Sequence, residues 1–107
     1  MKIYISGKIS DLSKEDYTRN FKIAYSELFE LKLVDYSWNV INPLDIKPLF
    51  GIKKWLFFMI SDLIALKKCD AIALQPNWED SKGAFIEHFY AKFFMKLKII
   101  KLKNEHI

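Results

Sequence analysis

Ten residues, Trp78-Glu79-Asp80-Ser81-Lys82-Gly83-Ala84-Phe85-Ile86-Glu87, bring together side chains suited to chemistry. The run reads as a loop that leaves a strand and opens a helix. Ser81 supplies a hydroxyl, Gly83 a small turn residue and Glu87 a carboxylate, all near one spot. On a helix, Gly83 and Ala84 lie at i−4 and i−3 of Glu87, and Ala91 lies at i+4. These small neighbours leave room for a ligand beside the carboxylate. The same residues also describe a solvated helix Glu behind a Ser or Asp N-cap.

A second carboxylate, Asp62, falls in an apolar stretch beside Phe58 and Leu66, at the margin of a hydrophobic stripe. An acid there costs free energy unless it is paired or used. One reading is a boundary Asp that hydrogen-bonds a nearby loop. The other is a proton donor, or a hydrogen-bond partner for a ligand base, whose pKa partial burial would raise. With Glu87 as nucleophile or electrostatic stabiliser, the two suit a glycosidic bond: one carboxylate attacks the anomeric carbon and one acid helps the leaving group. Tyr4 is either core packing or a hydroxyl aimed into the site. Trp78 is either a loop anchor or a stacking surface for a base. His88 points about 100° away from Glu87 and reads as structural or exposed. Cys69 reads as a small apolar filler at a helix end.

Strands and helices must alternate to position these groups. Lys2 to Ser6 reads as a strand ending at Gly7. Asp11 or Ser13 can cap a helix running to about Leu33, with Phe21, Ala24, Tyr25, Leu28 and Leu31 on one stripe. Trp38 to Ile41 reads as a second strand, stopped by Asn42-Pro43. Leu44 to Gly51 reads as a loop, and Lys53 to Lys68 as a strongly apolar helix. Asp70 to Gln75 is a third strand, Lys82 to Lys96 the last long helix, and Lys98 to Leu102 a fourth strand. Helices of this length between strands imply a parallel sheet with right-handed crossovers and helices on both faces. Lys2–Ser6 and Asp70–Gln75 are continuous apolar runs, as expected of adjacent central strands. In such sheets ligands sit at the carboxyl ends of the strands, where the strand order reverses. Ser6-Gly7-Lys8, Asn42-Pro43 and Gln75-Pro76-Asn77-Trp78 all fall on that edge, as does the start of the Glu87 helix.

Composition narrows the class. A chain of 107 residues with 51% hydrophobic side chains fits one α/β domain over 1–107. The lone Cys69 makes no internal disulfide, and no signal peptide is read at the N-terminus, which points to a cytoplasmic protein. No apolar run is long enough to span a bilayer. One Cys with His88 and His106 cannot build a standard structural zinc site. The net charge is +4, carried almost wholly by lysine, with Arg19 the single arginine. Groove and phosphate readers of nucleic acid usually rely on arginine. Lys92, Lys96, Lys98, Lys101 and Lys103 therefore read as a solvated helix face and a lysine-protected edge strand rather than a nucleic-acid or membrane patch.

The string YISGKIS, the Asn42-Pro43 pair, Ser61-Asp62-Leu63 followed by Cys69-Asp70, and WEDSKGAFIEH together resemble the nucleoside 2-deoxyribosyltransferase-like superfamily, most closely its DUF4406 branch. The resemblance runs from Met1 to about Ile100. It implies a flavodoxin-like three-layer sandwich with a parallel sheet of about four strands, and cleavage of N-glycosidic bonds of nucleosides or nucleotides without a cofactor or a metal. It implies Glu87 as the nucleophile, with Ser81 and Gly83 in the positions that precede it, and Asp62 as the aspartate that contacts the base. Tyr4, Ser6 and Gly7 match the first-strand motif lining the sugar pocket. Lys8 departs from a frequent proline and could supply a charge to a phosphate. Ser81 stands where the deoxyribosyltransferases carry aspartate; a serine at a helix N-terminus accommodates a 5′-phosphate that a carboxylate would repel. Asn42 and Trp78 complete the expected substrate-binding set.

The expected activity is hydrolysis or deoxyribosyl transfer on a nucleoside or nucleoside 5′-monophosphate. The alternatives are a non-catalytic module that binds a nucleotide or ADP-ribose-like ligand, and a structural protein that retains only the fold. Members of the superfamily are commonly dimers or larger, and a neighbouring subunit can complete the site. Phe85, Phe89, Phe93 and Phe94 spread aromatics around more of the last helix than one sheet face covers, which points to a homodimer or higher homo-oligomer.

Overall fold

The computed structural model describes residues 1–36 and 39–104. Trp38, placed at the head of the second strand, and His106 lie outside them. Four strands, β1 (Ile3–Ser6), β2 (Val40–Ile41), β3 (Ala71–Leu74) and β4 (Lys98–Lys101), form one parallel sheet in the order β2-β1-β3-β4. Three helices connect them: α1 (Lys14–Glu30), α2 (Trp55–Lys67) and α3 (Lys82–Phe93). The architecture is a small flavodoxin-like three-layer sandwich, with β1 and β3 as the adjacent central strands.

The period-two alternation of a strand sorts the side chains between the two faces. Ile3 and Ile5 of β1, with Ala71 and Ala73 of β3, pack against Phe21, Ala24 and Leu28 of α1. Tyr4, Ile72 and Leu74 face the other way, against Leu66 of α2 and Ala91 of α3. The edge strand β4 exposes Lys98 and Lys101, and Lys92, Lys96 and Lys103 are exposed as well. Among the described residues no helix is long and apolar enough to cross a membrane.

Local chemistry sets the helix ends. Ser13 caps α1, its hydroxyl accepting from the Asp16 amide, while Asp11 sits in the turn before it at φ 66°. The helix stops at Glu30, short of the expected Leu33. Its C-terminus closes with Lys32 N–H donating to Phe29 C=O and Leu33 N–H to Leu28 C=O, both at 3.0 Å, around Lys32 at φ 57°. This is the Schellman arrangement with lysine in the place that usually announces itself as glycine. Leu31, expected on the buried stripe, is consequently the C-cap and 53% exposed. The expected loop after β2 contains two 3-10 turns, Pro43–Asp45 and Leu49–Gly51.

From β1 the chain moves outward to β2, then crosses back through α2 to β3 on the other side. The strand order therefore reverses between β1 and β3, which opens a crevice at their carboxyl ends.

Candidate active site

Tyr4 and Ser6 are two apart on β1, so both point to the face covered by α2 and α3. There they meet Glu87 from the second turn of α3. The Tyr4 hydroxyl donates to Oε2 of Glu87, and the Ser6 hydroxyl donates to Oε1 at 2.7 Å. Both oxygens of the carboxylate are thereby held, and its orientation is fixed. Ala84 and Ala91 flank Glu87 on the buried side of α3, and these small residues let the helix approach the strand closely enough for the contacts to form. Ala91 packs into the core, whereas Gly83 and Ala84 open onto a cavity.

That cavity has a volume of about 330 Å³ and lies at the carboxyl edge of the sheet. Such a volume accommodates a small ligand of nucleoside size. Glu87 forms part of its wall, with Gly7 from the end of β1, Pro43 and Leu44 after β2, and Ser81 at the start of α3. From α2 come Trp55, Met59 and Asp62. The two carboxylates singled out in the sequence thus open onto one cavity. Asp62 Oδ1 is buried there with no hydrogen-bond partner among the described residues.

Burial pushes the Glu87 carboxyl up to about 8, with the nearby Asp62 charge adding to the rise and the Tyr4 and Ser6 hydrogen bonds opposing it. Burial likewise raises Asp62 to about 7. The Tyr4 hydroxyl is raised well above its ordinary value by burial and by the Glu87 and Asp62 charges, so it stays neutral and remains a donor. Two interacting carboxyls with pKa values near neutrality can exchange a proton with a ligand at physiological pH.

Ser81 caps α3, its hydroxyl accepting from the Ala84 amide at 3.2 Å. Its own proton remains available to a ligand. The unpaired amides of the first helical turn and the helix dipole favour an anion there. A Cβ at Gly83 would come 3.5 Å from Met59 Sδ and 4.0 Å from Trp55 Nε1, so a side chain at this position would project between the cavity walls. A Cβ at Gly7 would overlap the buried Gln75 amide, which explains the glycine: β1 must pass directly over that side chain.

Tyr4 and Ser6 are fully buried beneath Glu87 and act on the cavity through it. Three other residues expected to bind ligand, Lys8, Asn42 and Trp78, are not among the residues lining this cavity. The Lys8 amide donates to Asn77 Oδ1 at 3.1 Å, which ties the loops after β1 and β3 together. Asn42 caps the Pro43–Asp45 turn through Leu44 N–H and borders a second cavity. Trp78 lies against Phe85 and His88 of α3, with ring centroids 6.0 and 4.4 Å away. Cys69 is buried at the end of α2, its thiol donating to Ala65 C=O.

Sequence reasoning missed Tyr17, Trp55 and Met59 as cavity walls. They lie in the first turns of α1 and α2, and a helix antiparallel to the strands begins at the carboxyl edge. That positional signal was present, but aromatic and methionine side chains read equally well as core. Among the described residues, no group of three or more His, Cys, Asp or Glu could hold a metal ion.

No curated protein and no solved structure matches the chain. A family profile described as a domain of unknown function, DUF4406, matches residues 1–101. With the profile running from the first strand through the last and past every residue of the site, the chain belongs to the DUF4406 family.

Proposed function

We propose that this protein cleaves the N-glycosidic bond of a nucleoside or nucleoside 5′-monophosphate, with Glu87 as nucleophile and Asp62 as acid. The observation that carries this reading is the fixed Glu87 carboxylate, gripped by Tyr4 and Ser6, in one cavity with the unpartnered Asp62. The sequence resemblance to the nucleoside 2-deoxyribosyltransferase-like superfamily supports the same chemistry. In its ionised form Glu87 attacks C1′. A C1′–O bond forms as the C1′–N bond breaks, and the electron pair leaves on the base nitrogen, which takes a proton from Asp62. Water or a second base then attacks C1′, its proton passes to the Asp62 carboxylate, and the C1′–O bond to Glu87 breaks. Ser81 and the first turn of α3 offer a place for a 5′-phosphate. The exposed aromatics of α3 support a homodimer or larger assembly.

Incubation with a panel of nucleosides and nucleoside monophosphates, followed by chromatography for free base, tests the reading. Release of base by the wild type and its loss in Glu87→Gln is the expected result. One observation favours a second reading, a binding module: a carboxyl with a pKa of about 8 is largely neutral at pH 7 and can donate a hydrogen bond to a ligand. Nucleotide binding with no base released from any member of the panel would favour that reading.

A further inference from the structure

The cavity that holds Glu87 and Asp62 has no lysine or arginine among its lining residues. Next to it lies a second cavity of about 450 Å³, and the two share Tyr17 and Leu44 as walls. Lys14 and Lys22 both line this second space. On α1, Lys14, Thr18 and Lys22 follow one another at i, i+4 and i+8, and Tyr17 and Tyr25 form a parallel row beside them. The loop after β2 supplies the facing wall through Asn42 and Asp45.

The charge on this surface is uneven. Arg19 is tied to Asp16 at 2.6 Å, the one ion pair among the described residues, so it offsets the acidic first turn of α1. Among the described residues Lys14 and Lys22 have no such partner. Of the residues that line the groove, the exposed Asp45 is the one acid. The groove therefore carries two lysine ammonium groups along about 12 Å of helix, at 1.5 Å per residue. Tyr17, Thr18 and Tyr25, each bearing a hydroxyl, line the same groove. Point-charge donors flanked by hydroxyls suit a phosphate group.

We propose that this groove is a phosphate subsite for the far end of the ligand: the substrate is a nucleotide carrying a second anionic group, which passes between Tyr17 and Leu44 to reach Lys14 and Lys22. The proposal extends the N-glycosidase reading, on which the ligand's nucleoside part rests. It assigns the basic groove and the acidic cavity to two parts of one molecule. Glu87 and Asp62 take the glycosidic centre, which must not meet a fixed cation that would quench the nucleophile. The lysines take the phosphate, on the far side of the Tyr17 and Leu44 walls that the two spaces share.

The test uses inorganic pyrophosphate as a probe, which has no glycosidic bond and so reports on the groove alone. Amide chemical shifts of the full chain are followed by NMR during titration. The expected result is saturable shifts at residues 14–25 and 42–45, with a Kd of about 1 mM or tighter, which weakens at least roughly tenfold in the double variant Lys14→Gln/Lys22→Gln. Both lysines are exposed, so the variant keeps its fold, and its unperturbed spectrum away from the groove checks this. Raising the salt from about 50 to 300 mM should weaken binding as well, since exposed charges are screened. The proposal is overturned by an absence of shifts up to about 10 mM, by shifts confined to residues 81–84, or by affinity that the double variant leaves unchanged. Failure of the base-release assay with pyrophosphate still bound at the groove would remove the glycosidase reading and leave the phosphate subsite standing.

Discussion

The Ser6 hydroxyl donates to Oε1 of Glu87 at 2.7 Å, across 81 residues of chain. Together with the Tyr4 hydroxyl on the other oxygen, it makes a buried carboxylate whose direction is set by a strand rather than by its own helix. The acid cannot turn toward solvent without breaking two buried hydrogen bonds. Its side chain is therefore preorganised at the cavity wall before any ligand arrives.

If Glu87 attacks C1′, Glu87→Gln should lower turnover by at least roughly a thousandfold, as expected for loss of a covalent nucleophile. The amide has nearly the same shape, and the Tyr4 and Ser6 hydroxyls can rotate to accept from it. Ligand affinity should therefore survive. Steady-state rates on the substrate found in the base-release screen, with calorimetric binding alongside, check both halves. Turnover equal to wild type would refute the assignment.

Tyr4→Phe removes one of the two buried hydroxyl donors to the Glu87 carboxylate. A hydrogen bond to a charged group is worth about 1.5–3 kcal/mol, so turnover should fall roughly 10- to 100-fold. The Glu87 pKa should rise further, because the Tyr4 hydrogen bond stabilises the ionised carboxylate and holds the value down. A shift of the ascending, acid-side limb of the rate profile to higher pH is the signature, because Glu87 must lose its proton to attack. An unchanged profile would show that Tyr4 serves only as core.

Stability should depend on pH with a definite sign. Glu87 keeps its proton up to about 8 in the fold but releases it at its ordinary 4.5 in the unfolded chain. Between those values the folded state holds more protons than the unfolded one, so stability falls as pH rises. The contribution is complete below about 4.5 and is lost as pH passes through about 8, with a slope of at most about 1.4 kcal/mol per pH unit for this group. Asp62 acts in the same direction between 3.8 and about 7. Melting temperatures from pH 4.5 to 9 should decline, and Glu87→Gln should flatten the decline. A wild-type protein that grows more stable over this range would contradict the burial argument.

Asp62→Asn separates the two duties of that side chain. Its Oδ1 is buried and unpartnered, so removing the charge should raise the melting temperature at pH 9 and do much less at pH 5. Turnover should fall, and fall less for substrates with good leaving groups, which need less protonation as they depart. An equal loss across leaving groups would remove the acid role.

Phe85, Phe89 and Phe93 on α3 and Phe94 at its C-cap are between 44% and 67% exposed, and the Phe89 ring contacts those of Phe93 and Phe94. A stable dimer covers about 800 Å² on each partner, and this strip with the neighbouring exposed residues of α2 is a natural place for it. Light scattering at micromolar concentration should give a homodimer or larger. Phe89→Glu, a change at an exposed position, should shift the mass to that of a monomer without unfolding the chain. A monomeric wild type would count against the assembly.

The sequence by itself determined the order and type of the elements. The apolar runs Lys2–Ser6 and Asp70–Gln75 read as strands covered on two faces with helices between them, and the structure has parallel strands at Ile3–Ser6 and Ala71–Leu74. It also pointed to Glu87 and Asp62, because an acid beside small residues and an acid on an apolar stripe are both costly unless used. Only the tertiary structure decided which groups meet. Tyr4 could be core or site by its residue type; register places it under Glu87 as both a core residue and a hydrogen-bond donor. Trp78 was open between anchor and platform, and the Trp78–Asp80 turn lays its ring against Phe85 and His88 of α3. The early end of α1 was illegible because lysine, rather than glycine, takes the left-handed position. Local pattern fixes periodicity and burial preference, whereas contacts over 80 residues depend on helix approach and strand register, which no local window contains.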